Sequence, residues 1–135
     1  MLRTDDFLYI HNLRPNLWPA GDPEEFRDID GSPTKSELLE RRADPKIAPF
    51  FELACAKRPA NELYDLKQDP GQIHNVAGRP EYAEAQAKLR AELDRWMQQT
   101  ADPRARGETD LWDKCDYVGA GSSASGGGNK KPSKK

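Results

Sequence analysis

The stretch Asn61–Ala77, NELYDLKQDPGQIHNVA, and the segment it feeds, Pro80–Thr100, constrain the fold more than any other part of the sequence. Leu63, Tyr64 and Leu66 lie among Glu62, Asp65 and Lys67, a run too short for a helix but sufficient for a strand over Glu62–Leu66. Asp69-Pro70-Gly71 then predicts a tight turn, Pro presetting φ at the first central position and Gly taking positive φ at the next. Pro80 stands at a first helical position with Glu81 in the first turn, the expected opening of a helix. Along Pro80–Thr100, Tyr82, Ala85, Leu89, Leu93, Trp96, Met97 and Thr100 recur at helical spacing, which predicts a buried stripe with Trp96 in the core. Glu84–Lys88 and Arg90–Asp94 are spaced for i,i+4 pairs worth only ~0.3 kcal/mol each, so the apolar stripe must dock this helix. Asp102-Pro103 stops it.

Upstream, Met1–Arg3 and Phe7–Leu13 read as two strands joined by a hairpin at Thr4-Asp5-Asp6. The second carries sizeable side chains on both faces, Phe7, Tyr9 and His11 against Leu8, Ile10 and Asn12, and is expected to be covered on both sides. Arg14-Pro15-Asn16 ends it. Leu17–Lys35 has no sustained periodicity and is broken by Pro19, Gly21, Pro23, Gly31 and Pro33. Its apolar residues Trp18, Phe26 and Ile29 predict an ordered excursion packed on something. Ser32 or Thr34 caps a short helix over Lys35–Arg42, Thr34 with Glu37 fitting a capping box. A second short helix is expected over Pro49–Lys57, with Phe50, Leu53 and Ala54 on one face and Phe51 and Cys55 beside it. These elements add up to an α+β fold, a small antiparallel sheet of three or four strands with the Pro80–Thr100 helix packed across one face.

Hydrophobic residues make up 36% and charged residues 33% of the 135, and the mean hydropathy is −0.95, so the core must be thin for the length. The domain is expected over residues 1–118, followed by a disordered Gly/Ser/Lys tail over 119–135. A net charge of −2 with mixed signs argues against a nucleic-acid or membrane footprint, and no apolar run approaches the length that spans a bilayer. The exception is the basic tail cluster Lys130, Lys131, Lys134 and Lys135, a candidate contact for an anionic surface or polymer. Two cysteines, Cys55 and Cys115, do not fix a redox compartment; Cys55 reads as a buried small hydrophobe, and spacing alone does not say whether the two pair.

ELYDLKQDPGQIHNVA, followed by a helix with a Trp near its end and then Thr100-Ala101-Asp102-Pro103, resembles the C-terminal region of type I sulfatases, nearest to the N-sulfoglucosamine sulfohydrolase (sulfamidase, heparan N-sulfatase) group. FLYIHNL at Phe7–Leu13, GSPTKSELL at Gly31–Leu39 and PFFELACAKRPANELYDL at Pro49–Leu66 extend the likeness in the same order over roughly Met1–Tyr117. The resemblance implies an enzyme of the alkaline-phosphatase-like superfamily whose catalytic domain lies upstream as partner in the same chain. It further implies a sulfated carbohydrate as substrate, and calcium and a formylglycine residue as the catalytic equipment of the full-length enzyme. Such enzymes are usually exported, periplasmic or lysosomal, whereas the N-terminus here has no charged-then-apolar signal pattern. Met1 falls where the family has an internal strand, which implies a fragment or a truncated reading frame.

Formylglycine forms from Cys or Ser in the pattern Cys/Ser-x-Pro-x-Arg, and neither Cys55-Ala56-Lys57-Arg58-Pro59 nor Cys115-Asp116-Tyr117-Val118-Gly119 fits it. No catalysis is expected from this chain alone, and its two histidines, without clustered cysteines or spaced carboxylates, make no zinc site. His11 reads either as a half-buried histidine bonded within the sheet or, with Asn12 and Arg14, as the end of a strand pointing into a sulfated-sugar cleft. His74 reads as a surface residue. Asp28, Asp30, Ser32, Thr34 and Lys35 form the densest polar cluster. It reads as an Asx-type turn running into a helix cap, or as a loop that recognises hydroxyl and sulfate groups with Lys35 as the point charge. Trp18 and Trp112 are either packing anchors or stacking platforms for sugar rings. The chain is thus expected to complete a sulfatase fold and wall one side of its substrate cleft. The other reading is a standalone carbohydrate-binding or protein-interaction module without hydrolase activity.

Overall fold

The computed structural model describes residues 1–21, 23–24, 26 and 29–111. Asp28, Trp112, Cys115, Tyr117, the boundary at 118 and the lysine-bearing tail lie outside the described residues. Three strands, β1 (Leu2–Arg3), β2 (Phe7–His11) and β3 (Asn61–Asp65), form an antiparallel sheet in the order β1-β2-β3. Three helices accompany it, α1 (Pro33–Glu40), α2 (Ala48–Cys55) and α3 (Ala83–Gln99), the last entered through a 3-10 turn at Pro80–Tyr82. The fold is α+β, as the pattern predicts, with β2 two residues shorter than expected.

The register puts Leu2, Tyr9 and Leu63 opposite one another on one face of the sheet, and α3 lies across that face. Tyr9, Leu63, Val76, Leu89, Leu93 and Met97 are buried together, with Leu2, Phe7, Ala77 and Tyr82 packed around them. Leu89, Leu93 and Met97 recur at i,i+4 and mark the centre of the helix stripe. Trp96 departs from expectation. It is 53% exposed, because it lies about 100° around the axis from Met97 and falls on the border of the stripe rather than in it. Of the spaced ion pairs, Arg90–Asp94 forms at 2.8 Å.

The outer edge of β3 is closed by the linker that follows it. Val76 N donates to Leu63 O at 2.8 Å, while Asn75 Oδ1 accepts from Leu63 N and Ala77 N, both at 2.9 Å. The Asn75 side chain thereby stands in for a strand peptide group. The turn at Asp69-Pro70-Gly71-Gln72 closes through Gln72 N on Asp69 O at 3.0 Å, but the left-handed residue is Gln72 (φ 55°), not Gly71. Asp69 Oδ2 fixes that geometry by accepting from Ile73 N at 2.8 Å and His74 N at 2.7 Å. α3 ends in a Schellman arrangement, with Ala101 at φ 52°, Ala101 N on Gln98 O at 3.1 Å and Asp102 N on Met97 O at 2.8 Å.

A second, smaller core lies under the long segment before α1. Ala20, Phe26, Phe51 and Cys55 are buried there, with Trp18, Ile29 and Leu39 against them. Phe26 sits edge-on to both Trp18 (5.6 Å) and Phe51 (5.8 Å), the arrangement aromatic quadrupoles favour. Trp18 is therefore a packing anchor, and the Lys57 ammonium lies 5.3 Å from its ring centroid. α2 turns the face bearing Phe51 and Cys55 inward, with Cys55 buried as expected, and leaves Phe50 60% and Leu53 45% exposed. The cause is the aromatic edge of Phe26, which selects Phe51 among several apolar candidates.

Candidate functional site

The sequence singles out two groups of polar residues, and the fold places them on its two different cores. In the first, His11 ends β2 opposite Asn61 and is half-buried. Its Nδ1 lies 3.1 Å from Ala60 O and 3.2 Å from Arg90 Nη1. One nitrogen cannot serve both, since it must donate to the carbonyl or accept from the guanidinium. Asn12 Nδ2 donates to Pro59 O and Glu62 Oε1, both at 2.7 Å, and its backbone N reaches Ala60 O at 2.9 Å. Arg14 is half-buried at a turn closed by Leu17 N on Arg14 O at 3.0 Å. Asn12 thus ties the end of β2 to the entry of β3, using donors that a ligand would otherwise take.

In the second group Ser32 is the helix cap. Its Oγ accepts from Lys35 N at 3.1 Å, Pro33 occupies the first helical turn, and Thr34 lies inside α1 rather than capping it. Glu37 pairs with Arg41 instead of reaching back to a capping box. Lys35 Nζ donates to Phe26 O at 2.9 Å and Ile29 O at 2.8 Å, so its ammonium binds the preceding loop to α1. Asp30 is exposed, and Asp28 is outside the described residues. No hydrogen bond among the described residues joins His11 or Asn12 to this second group. His74 is on the surface, 3.6 Å from Asp69.

The structure adds a polar cleft of about 310 Å³ between the sheet and α3, lined by Tyr9, Asn61, Gly78, Gln86 and Arg90. Tyr9 is buried and its hydroxyl donates to Asn61 Oδ1 at 2.6 Å. Asp94 above all, then Tyr9, holds the Arg90 guanidinium charged, its pKa raised above the ordinary value. Gln86 Oε1 accepts from Gly78 N at 2.8 Å. From the sequence Arg90 is legible only as a partner of Asp94; the missed signal is the i,i+4 recurrence of Gln86 and Arg90 along one flank of the stripe. A charged guanidinium, two amides and a phenol are groups able to bind and orient a polar or anionic group, but they supply no activated nucleophile. On the other face of β3, burial pushes the Tyr64 hydroxyl up to about 12, helped by its 2.5 Å hydrogen bond to Glu62. Burial likewise raises the Cys55 thiol, which is 2% exposed. Among the described residues no group of three His, Cys, Asp or Glu side chains is placed to hold a metal ion, and no helix is long and apolar enough to cross a membrane.

Comparison with known proteins places these features in a family. The chain is 34% identical over 114 residues to an ulvan-active sulfatase of Formosa agariphila, covering 84% of this chain and 19% of that enzyme. It is 30% identical over 100 residues to the human N-sulphoglucosamine sulphohydrolase, covering 72% of this chain and 19% of the enzyme. A Delta 4,5-hexuronate-2-O-sulfatase of Bacteroides thetaiotaomicron matches at 40% over 58 residues, 36% of this chain and 12% of that protein. No protein-family profile matches the chain, and no solved structure does. The chain spans about one fifth of the length of the first two relatives. Sequence likeness to several sulfatases, over most of this chain and a small part of each of them, identifies it as a segment of the sulfatase family.

Proposed function

We propose that this chain is the C-terminal subdomain of a sulfatase acting on a sulfated sugar, completing the enzyme's fold and walling one side of its substrate cleft. The observation that carries the reading is the match of 84% of the chain to about a fifth of an ulvan-active sulfatase. The relatives' names include both an N-sulphoglucosamine sulphohydrolase and a 2-O-sulfatase, so N-sulfates and sulfate esters are both within the substrate class. Hydrolysis belongs to the rest of the enzyme, which in this family supplies calcium and formylglycine. Neither cysteine here has Pro two and Arg four residues on, and the described side chains do not fit a metal site. In this reading His11, Asn12 and Arg14, together with Asp28, Asp30, Ser32, Thr34 and Lys35, face the cleft. The internal bonds of Asn12, Ser32 and Lys35 keep the wall rigid while Asp30 and Thr34, both exposed, meet substrate. The enzyme is exported or lysosomal, as its relatives usually are, and the domain ends near residue 118.

The test is the size of the native product. Blotting source-cell extract with an antibody raised to Pro80–Thr100 is expected to show a band several times 15.2 kDa that co-purifies with sulfatase activity. A sole band at 15.2 kDa, separate from that activity, refutes the reading and favours a standalone binding module.

A further inference from the structure

α1 buries none of its eight residues, and α2 buries only Phe51 and Cys55. Helices this short are marginal in water unless a packed face supports them. Between the two runs an open groove of about 740 Å³ whose apolar lining comes from Leu38, Ile47, Phe50, Leu53 and Ala54. The groove exposes Phe50 and Leu53 on a chain that is one third charged, so it is out of character with the composition. About four fifths of the ulvan-active sulfatase and of the human N-sulphoglucosamine sulphohydrolase lies outside the segment this chain spans. A surface of that size in the same polypeptide is the occupant at highest effective concentration.

We infer that the α1–α2 groove is the seat of the remainder of the same enzyme, which lays an apolar ridge against Phe50 and Leu53. The inference rests on the proposed function and adds to it the face through which the subdomain docks. It also explains why α2 turns two large apolar side chains outward. Phe51 and Cys55 hold α2 to its own core, and Phe50 and Leu53 remain for the partner surface.

The experiment is thiol labelling of a Phe50→Cys variant in a Cys115→Ser background, with Cys55 protected by burial. It is run on the 135-residue chain and on the longer native enzyme containing it, and a Leu53→Cys variant repeats the measurement independently. Labelling is expected to be fast in the short chain and slower by about tenfold or more in the longer enzyme. Equal rates in a longer enzyme with sulfatase activity overturn the groove assignment and leave the proposed function standing. Absence of any longer product overturns both. Slow labelling of the short chain overturns the inference in two distinguishable ways. If the rate falls as protein concentration rises, a second copy occupies the groove. If the rate recovers when residues 112–135 are removed, the chain's own terminal segment does.

Discussion

Asn75→Ala removes the side chain that substitutes for a strand along the outer edge of β3. Leu63 is fully buried, and its N–H has Asn75 Oδ1 as its acceptor at 2.9 Å. Stranding a buried donor costs about 1–3 kcal/mol, and the half-buried Ala77 N–H loses a bond worth a net ~1 kcal/mol. The 3.3 Å donation from Asn75 Nδ2 to Asn61 O adds less. The sum is about 2–4 kcal/mol, a large part of the about 5–15 kcal/mol that stabilises a domain. For roughly 100 ordered residues, at about 4–8 °C per kcal/mol, the melting temperature is expected to fall by about 8–32 °C. Urea unfolding followed by circular dichroism measures the free energy, and amide exchange at Leu63 localises it. Asn75→Asp keeps oxygens for both N–H groups and loses only the weak donation, so it is expected to cost ~1 kcal/mol or less. If Asn75→Ala costs under about 0.5 kcal/mol, the Asn75 side chain is not what closes this edge.

Two further outcomes follow from single sites. Ala101 holds φ 52° to end α3, a conformation costing an L-residue about 1–2 kcal/mol, so Ala101→Gly is expected to stabilise the protein by ~0.5 kcal/mol after the added freedom of the unfolded chain; a lower melting temperature refutes this. Asp102, buried and gripped by Arg104 at 2.6 Å, has its pKa lowered to about 2, chiefly by that side-chain hydrogen bond. A depressed folded-state pKa means stability that is fully present above the ordinary carboxylate value and is lost as pH falls toward about 2. Urea midpoints should therefore fall across that acid range, and Asp102→Asn should flatten the fall; an unchanged slope in the variant refutes the role of this pair.

What the sequence made legible, and what it hid, depends on how one-sided each pattern is. β3 was readable because its apolar run is too short for a helix and ends at a turn signal, and α3 because the Leu89–Leu93–Met97 stripe specifies one face. α2 was not, since Phe50, Phe51, Leu53, Ala54 and Cys55 put apolar side chains around most of the helix. Its inward face is chosen by Phe26, more than twenty residues earlier, which local periodicity does not see. Trp96 misled for the opposite reason, because a large side chain at the border of a clear stripe was counted into it. At Gly71 the composition signal was right about the turn and wrong about which residue turns left, because Asp69 imposes the geometry from its side chain. The candidate site was half legible. His11, Asn12 and Lys35 stand out in the sequence, yet their partners Ala60, Glu62, Phe26 and Arg90 are brought to them only by the fold.

Lys35 reaching back to the carbonyls of Phe26 and Ile29 has a kinetic consequence. The small core it holds rests on four buried residues and two short helices, whereas the sheet and α3 share six and a full strand ladder. Native-state exchange should therefore resolve two cooperative units, with amides of α1 and α2 opening sub-globally while β2, β3 and α3 exchange only with complete unfolding. The Lys35 ammonium is the latch of the weaker unit, so acetylating it would release the segment before α1 to proteases without melting the sheet.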